Sequence, residues 1–198
     1  MSSDATTDTP SDASPTLTAT PGQTVGPFFG YALPYDGDSE LVAPGTPGAV
    51  RLGGTVVDGA GRPVPDALLE IWQAGPDGSV SRRTGSLRRD GWTFTGFGRA
   101  ATDNDGRYTF TTLTPGPTEP GAAAFWAVTI FARGLTNRLF TRAYLPGDDG
   151  ALASDRLLAS LPADRRTTLV ASPDEHGYVF DVRLQGAGET VFLSFPGH

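Results

Sequence analysis

From Val50 onward, short runs of alternating or β-branched residues are cut by Gly, Pro, Asp and Asn about every eight to twelve residues. A chain punctuated that often has room for strands and turns and little room for helix, so the pattern predicts an all-β sandwich or barrel with long loops. Strands are expected at residues 51–57 and 67–73 around a turn at 58–63. Further turns are expected at Asp77-Gly78 and Asp105-Gly106, the second closing a hairpin between residues 99–102 and 107–113. Beyond Gly134, strands are expected at 138–145, 168–171, 178–185 and 190–195, with a turn at 146–150. One short helix is expected at 154–161, with Ser154 as its cap.

The stretch from Gly106 to Gly134 sets the functional question. In its first run Tyr108, Phe110 and Thr112 alternate with Arg107, Thr109 and Thr111, the period of a half-buried strand. Its second run, 124–132, is apolar almost throughout and predicts a strand covered on both faces. The loop and strand from 115 to 132 carry only Thr118, Glu119 and Thr129 as polar side chains. That set contains no metal-binding cluster, general base or activated nucleophile. Asp103, Asn104, Asp105 and Gly106 begin like a calcium loop, but position twelve is Thr114 rather than Glu, so a turn is expected there.

Composition narrows the chemistry further. There is no cysteine, which removes disulfides, zinc ribbons and thiol nucleophiles. All 15 basic residues are Arg, so neither a Schiff-base amine nor a phosphate-loop lysine is available. A net charge of −7, with a basic cluster only at 81–90, argues against nucleic acid. The two histidines, His176 and His198, have no histidine near them in sequence, so a histidine-based metal site is not expected. Residues 1–19 are Ser, Thr, Asp and Pro with almost nothing to bury, and predict a disordered tail without a secretory pattern. With no apolar run of membrane-spanning length, these features predict a cytoplasmic protein.

Between the tail and the β core of 50–198 lies an arm, residues 20–49. It is too rich in Gly and Pro for a regular element, yet it carries Phe28, Phe29, Tyr31 and Tyr35. It reads as an ordered extended arm. Its pattern alone leaves open whether it covers the chain's own core or brings the Gly26-Pro27 turn to a ligand or another subunit.

The segments LEIWQAGPDGSV (69–80) and GRAATDNDGRYTFTTLTPG (98–116) resemble the intradiol ring-cleaving dioxygenases of aromatic catabolism. The arm TPGQTVGPF, FARG at 131–134, FTRAYLPGD at 140–148 and the closing YVFDVRLQGAGETVFLSF narrow the resemblance to the non-metallated chain of the family's two-subunit members. The resemblance implies an antiparallel β-sandwich paired with a homologous beta subunit. That partner holds ferric iron through two tyrosines and two histidines, and opens protocatechuate with O2 between its two hydroxyls. Hard phenolate oxygens suit a trivalent iron, and imidazoles complete a site with room for a chelating substrate.

Aligned by motif, the family's ligand positions fall on Thr118, Phe125 and Ala127, and more loosely on Ser86. Neither Phe nor Ala binds iron, so no metal and no catalytic residue are expected in this chain. The vacated position is expected to be filled by Phe125 and Trp126. The resemblance places Thr24, Gly26, Pro27 and Phe28 beside the partner's substrate, with Arg133 near its carboxylate. The bland alternatives are an interface salt bridge for Arg133 and a purely packing role for Phe28. Glu70 and Trp72 read as fold determinants.

Two other functions fit less well. A dioxygenase-like module that only assembles or recognises a partner would touch no substrate. An autonomous enzyme with relocated ligands at Tyr31, Tyr35 and His176 would need a paired-ligand spacing that the sequence lacks.

Overall fold

The computed structural model of the chain describes residues 23–26, 28–82, 90 and 92–195; the expected tail, Pro27, Ser86 and His198 lie outside them. Two sheets face one another. The first is built on β1 (Ala49–Val57), antiparallel to β4 (Arg107–Leu113) on one side. On its other side β1 runs parallel to β8 (Gly177–Val179) and β9 (Val182–Arg183), and β7 (Ser172–Asp174) closes the edge against β8. The second sheet has the order β3 (Phe97–Ala101), β2 (Leu68–Gln73), β5 (Phe125–Phe131), β6 (Leu139–Tyr144), antiparallel throughout.

The core is where the inward faces meet. Leu52, Val56, Tyr108, Phe110, Phe180 and Val182 come from the first sheet or its continuation. Leu69, Ile71, Trp126, Val128, Ile130 and Ala143 come from the second. The period of two expected for β4 is present, with Tyr108, Phe110 and Thr112 buried. One polar network is sealed inside this core. Gln73 Oε1 accepts from Thr112 Oγ1 (2.5 Å) and Trp126 Nε1 (3.0 Å), while its Nε2 donates to the Leu113 carbonyl (2.8 Å). Each buried polar group of the cluster is thereby satisfied, which is the condition for tolerating it there.

The structure corrects several expectations. The sheet around β1 is mixed rather than antiparallel, because the chain returns to β1 through the long segment between β6 and β8 and enters in the same direction. The Asp105-Gly106 turn does not close a hairpin, since β3 pairs with β2 and β4 with β1. It is instead an arch from one sheet to the other. Thr102 Oγ1 binds the Ala67 amide (2.9 Å) and the Val64 carbonyl (2.8 Å), tying the arch's start to the second sheet. Asp103 Oδ1 accepts from the Asp105 and Arg107 amides at 2.9 and 2.8 Å, the chemistry of an aspartate-led turn.

The expected strand at 178–185 is broken at Phe180 and Asp181. Tyr108 donates its hydroxyl to the Phe180 carbonyl (2.5 Å), and Asp181 Oδ1 takes the Thr55 amide (2.8 Å), so side chains replace ladder bonds there. Residues 168–171 and 190–195 form isolated bridges, at Val170 and Leu193, rather than strands.

Helix is short and more frequent than expected. The helices are α1 (Phe29–Ala32) in the arm, α2 (Asp149–Ser154), α3 (Arg156–Ala159) and α4 (Ala163–Thr167). Ser154 ends α2 and does not cap α3. Asp148 caps α2 through the Ala151 amide, and Asp155 caps α3 through the Leu157 and Leu158 amides. No helix among the described residues is long and apolar enough to cross a membrane.

Candidate functional site: the outer face of the second sheet

β5 separates its residues cleanly. Trp126, Val128 and Ile130 enter the core, while Phe125, Ala127, Thr129 and Phe131 lie half-buried on the opposite face. The expectation of cover on both faces therefore fails for the isolated chain. The long apolar run is one core face plus a second face that this chain leaves half open. Trp72, paired with Ala127 in register, is 41% exposed on the same side.

The three described positions expected from the motif alignment to match iron ligands gather here. Thr118, Phe125 and Ala127 line a small cavity of about 120 Å³ together with Trp72, Val80 and Gly116. The loop bearing Thr118 is held from below. Gly116 donates its amide to the Gly75 carbonyl (2.9 Å), and a Cβ on Gly116 would stand 2.3 Å from the Pro76 carbonyl oxygen, so glycine alone fits. In the facing turn, the Ser79 hydroxyl and amide hold the Asp77 carboxyl below its usual range.

A cation occupies this face. The Arg142 guanidinium lies 4.2 Å above the centroid of the Phe125 ring, and Arg142 is directly opposite Ala127 in the β5–β6 ladder. Its Nη1 donates to the Tyr144 hydroxyl (3.0 Å), which donates in turn to Asp155 Oδ1 (3.0 Å) at the cap of α3. Burial pushes the Tyr144 hydroxyl up to about 12, with Arg142 pulling the other way.

Trp126, expected to help fill the vacated position, faces the core instead, with its indole nitrogen on Gln73. Adjacent strand positions point to opposite faces, so Phe125 and Trp126 cannot fill the same space. Tested against a ferric ion, these residues do not fit. A ring and a methyl offer no donor, and the nearest charge is positive. Among the described residues no group of three or more His, Asp or Glu stands close enough to hold a metal ion.

The arm lies at the far end of β5. Gln23 and Val25 line a cavity of about 250 Å³ with Phe131, Ala132, Leu135 and Phe140. The Gly26 carbonyl accepts from the Phe29 amide (3.1 Å), Phe29 is buried, and Thr24, Gly26 and Phe28 are exposed, Phe28 by 75%. The arm is thus anchored on the chain's own core and leaves its tip exposed. Phe29 and Leu41 anchor it, Leu41 within the main core, while its tip faces outward. Arg99 fixes its far end, donating to the Leu33 carbonyl (2.7 Å) while paired with Glu70 across β2 and β3.

Arg133 follows β5 directly, is 62% exposed, and sets its Nε 2.7 Å from Asp66 Oδ2. The structure brings Arg133 and the arm to the same end of β5. Asp66 is the described non-glycine residue with a left-handed backbone, at φ 64°, a conformation that costs about 1 kcal/mol. Sequence reasoning did not single out Asp66, Arg142, Tyr144 or Asp155. Arg142 and Tyr144 lay within the quoted FTRAYLPGD motif, and strand alternation across from the 124–132 run was the signal that could have found them.

Comparison with known proteins finds dioxygenases. A family described as Dioxygenase matches residues 24–186. The chain is 40% identical over 195 residues to the protocatechuate 3,4-dioxygenase alpha chain of Burkholderia cepacia, covering 90% of this chain and 98% of that one. It is 32% identical over 181 residues to the beta chain of the same organism's enzyme, covering 80% of this chain and 74% of that one. Among solved structures, the dioxygenase domain of a dioxygenase–carbohydrate-binding fusion from Streptomyces sp. SirexAA-E superposes with a TM-score of 0.55 at 28% identity. That match covers 85% of this chain and 99% of the domain.

Proposed function

The chain belongs to the intradiol ring-cleaving dioxygenases, as an alpha chain of a two-chain enzyme, and we propose that it completes the substrate pocket of an iron-bearing beta partner without performing the chemistry itself. The observation that carries this reading is the blocked ligand face, where Phe125 lies under the Arg142 guanidinium and Ala127 stands opposite it. A chain with that face cannot seat the metal, yet its relatives include both halves of a protocatechuate-cleaving enzyme.

In this reading ferric iron held by the partner would supply the activation of catechol and O2 by which protocatechuate opens between its two hydroxyls to 3-carboxy-cis,cis-muconate. This chain contributes shape and charge. Thr24, Gly26, Pro27 and Phe28 form a wall of the partner's pocket, and Phe28 and Tyr31, exposed by 75% and 87%, are covered on assembly. Arg133 offers its guanidinium to the substrate carboxylate, a planar fork that matches a carboxylate's geometry. The half-open face of β5, with Trp72, belongs to the same permanent interface. An acidic chain without cysteine suits a cytoplasmic assembly.

Arg133 is tested in the assembled enzyme, co-expressed with its beta partner. Arg133→Ala is expected to raise KM for protocatechuate about tenfold or more with kcat little changed, the signature of lost charged binding. An unchanged KM would confine Arg133 to its ion pair with Asp66 and favour a chain that assembles without touching substrate.

A further inference from the structure

Resting on the reading of Arg133 as a carboxylate-binding group, we infer that Asp66 is the positioning residue that joins Arg133 to the arm. Three observations converge on this side chain. Its Oδ2 lies 2.7 Å from Arg133 Nε, and no other partner is seen for that guanidinium among the described residues. Its backbone is left-handed at φ 64°. Its Cβ stands beside the arm: a Cβ placed on Gly30 in α1 would lie 3.8 Å from it.

Together these place Asp66 between Arg133 and the arm. An ion pair this open to solvent, with side chains 62% and 34% exposed, adds little to folding. A left-handed aspartate works against folding, so stability does not account for the arrangement. Geometry does. The ion pair at Nε holds the Arg133 head beside Asp66 and leaves both Nη groups for a carboxylate, and Asp66 sits next to Gly30 at the base of the arm's tip. A long exposed arginine without this tether would be immobilised only when substrate arrives, and binding would bear that cost.

The test uses the co-expressed complex with Asp66→Gly, Asp66→Asn and Arg133→Ala. Each is assayed for KM and kcat with protocatechuate and for the inhibition constant of catechol, the same ring without its carboxylate. Glycine keeps the left-handed backbone and removes the carboxylate; asparagine keeps the shape and removes the charge. Asp66→Gly is expected to raise KM for protocatechuate about three- to tenfold, the cost of ordering one long side chain at binding. Its kcat and catechol inhibition should be unchanged, and Asp66→Asn should fall between it and the parent. A merely structural aspartate would weaken both ligands together or neither, and either result overturns the inference. If Arg133→Ala loses protocatechuate selectively while Asp66→Gly matches the parent, the positioning role is wrong and the pocket reading stands. If Arg133→Ala also matches the parent, the pocket reading falls and takes this inference with it.

Discussion

At Phe125 the Arg142 guanidinium lies 4.2 Å from the ring centroid and bonds onward through Tyr144 to Asp155, so this face of β5 carries a built, cation-bearing cluster. That cluster has a consequence. Under the proposal that Thr118, Phe125 and Ala127 stand where a catalytic relative has ligands, installing Thr118→Tyr, Phe125→His and Ala127→His supplies donors but leaves a cation against them. The triple variant, assembled with its partner, is expected to bind no additional ferric iron. Adding Arg142→Ala is expected to permit some binding, since removing the cation ends its repulsion of a trivalent ion. Metal analysis with the phenolate-to-iron absorption band reads both outcomes, and full loading of the triple variant would contradict this account. The absence of ligands at Phe125 and Ala127 was legible in the sequence, because residue identity alone decides whether a donor exists. Arg142 as the replacement was not, because its place depends on pairing β6 with β5 in one register.

At the scale of elements, the sequence showed what each segment is better than what it pairs with. The alternation of Tyr108, Phe110 and Thr112 located β4 and its buried face. The same stretch misled about pairing, since an Asp-Asn-Asp-Gly turn has the same local chemistry whether it stays in a sheet or crosses between two. What decides is the remote bond from Thr102 to Ala67, invisible to local pattern. The caps Asp148 and Asp155 were present as letters but sat among turn residues, so two short helices between them were read as a turn and a later start.

Tyr144 now ties these elements, from β6 to the cap of α3, and its raised pKa makes the tie sensitive to alkali. A hydroxyl shifted from an ordinary value near 10 up to about 12 contributes stability fully present below pH 10 and lost as pH rises toward 12. Tyr108, buried and raised further, titrates in the same direction, so the informative quantity is the difference between parent and variant. Tyr144→Phe in the assembled enzyme should lower Tm slightly at neutral pH, by the loss of about 1 kcal/mol of hydrogen bonding. Its Tm should then fall less steeply than the parent's between about pH 10 and 12. Parallel alkaline curves would show that the Tyr144 hydroxyl is not the titrating tie.

Across the whole molecule the two sheets differ in kind. The first presents Arg51, Arg107 and Thr109 outward and is content beside water. The second turns Trp72, Phe125, Ala127 and Phe131 outward, and the arm adds Phe28 and Tyr31, an apolar surface suited to a permanent partner. Little folded chain is therefore expected on its own, since an obligate subunit's stability is inseparable from its assembly. The sandwich was readable from turn spacing and periodicity, while the two-chain character came from the resemblance of several motifs to a two-subunit family, with the apolar run at 124–132 in keeping with it. Which rings anchor the arm was not readable, because only the fold shows Phe29 turned in and Phe28 turned out.

The most direct measurement is iron content with protocatechuate-dependent oxygen uptake, made on this chain purified alone and again after co-expression with an iron-bearing beta homologue. The account predicts iron and turnover in the co-purified complex and neither in the lone chain. Stoichiometric ferric iron with turnover in the lone chain would contradict it, and the positions of Thr118, Phe125 and Ala127 would then have no bearing on where the metal sits.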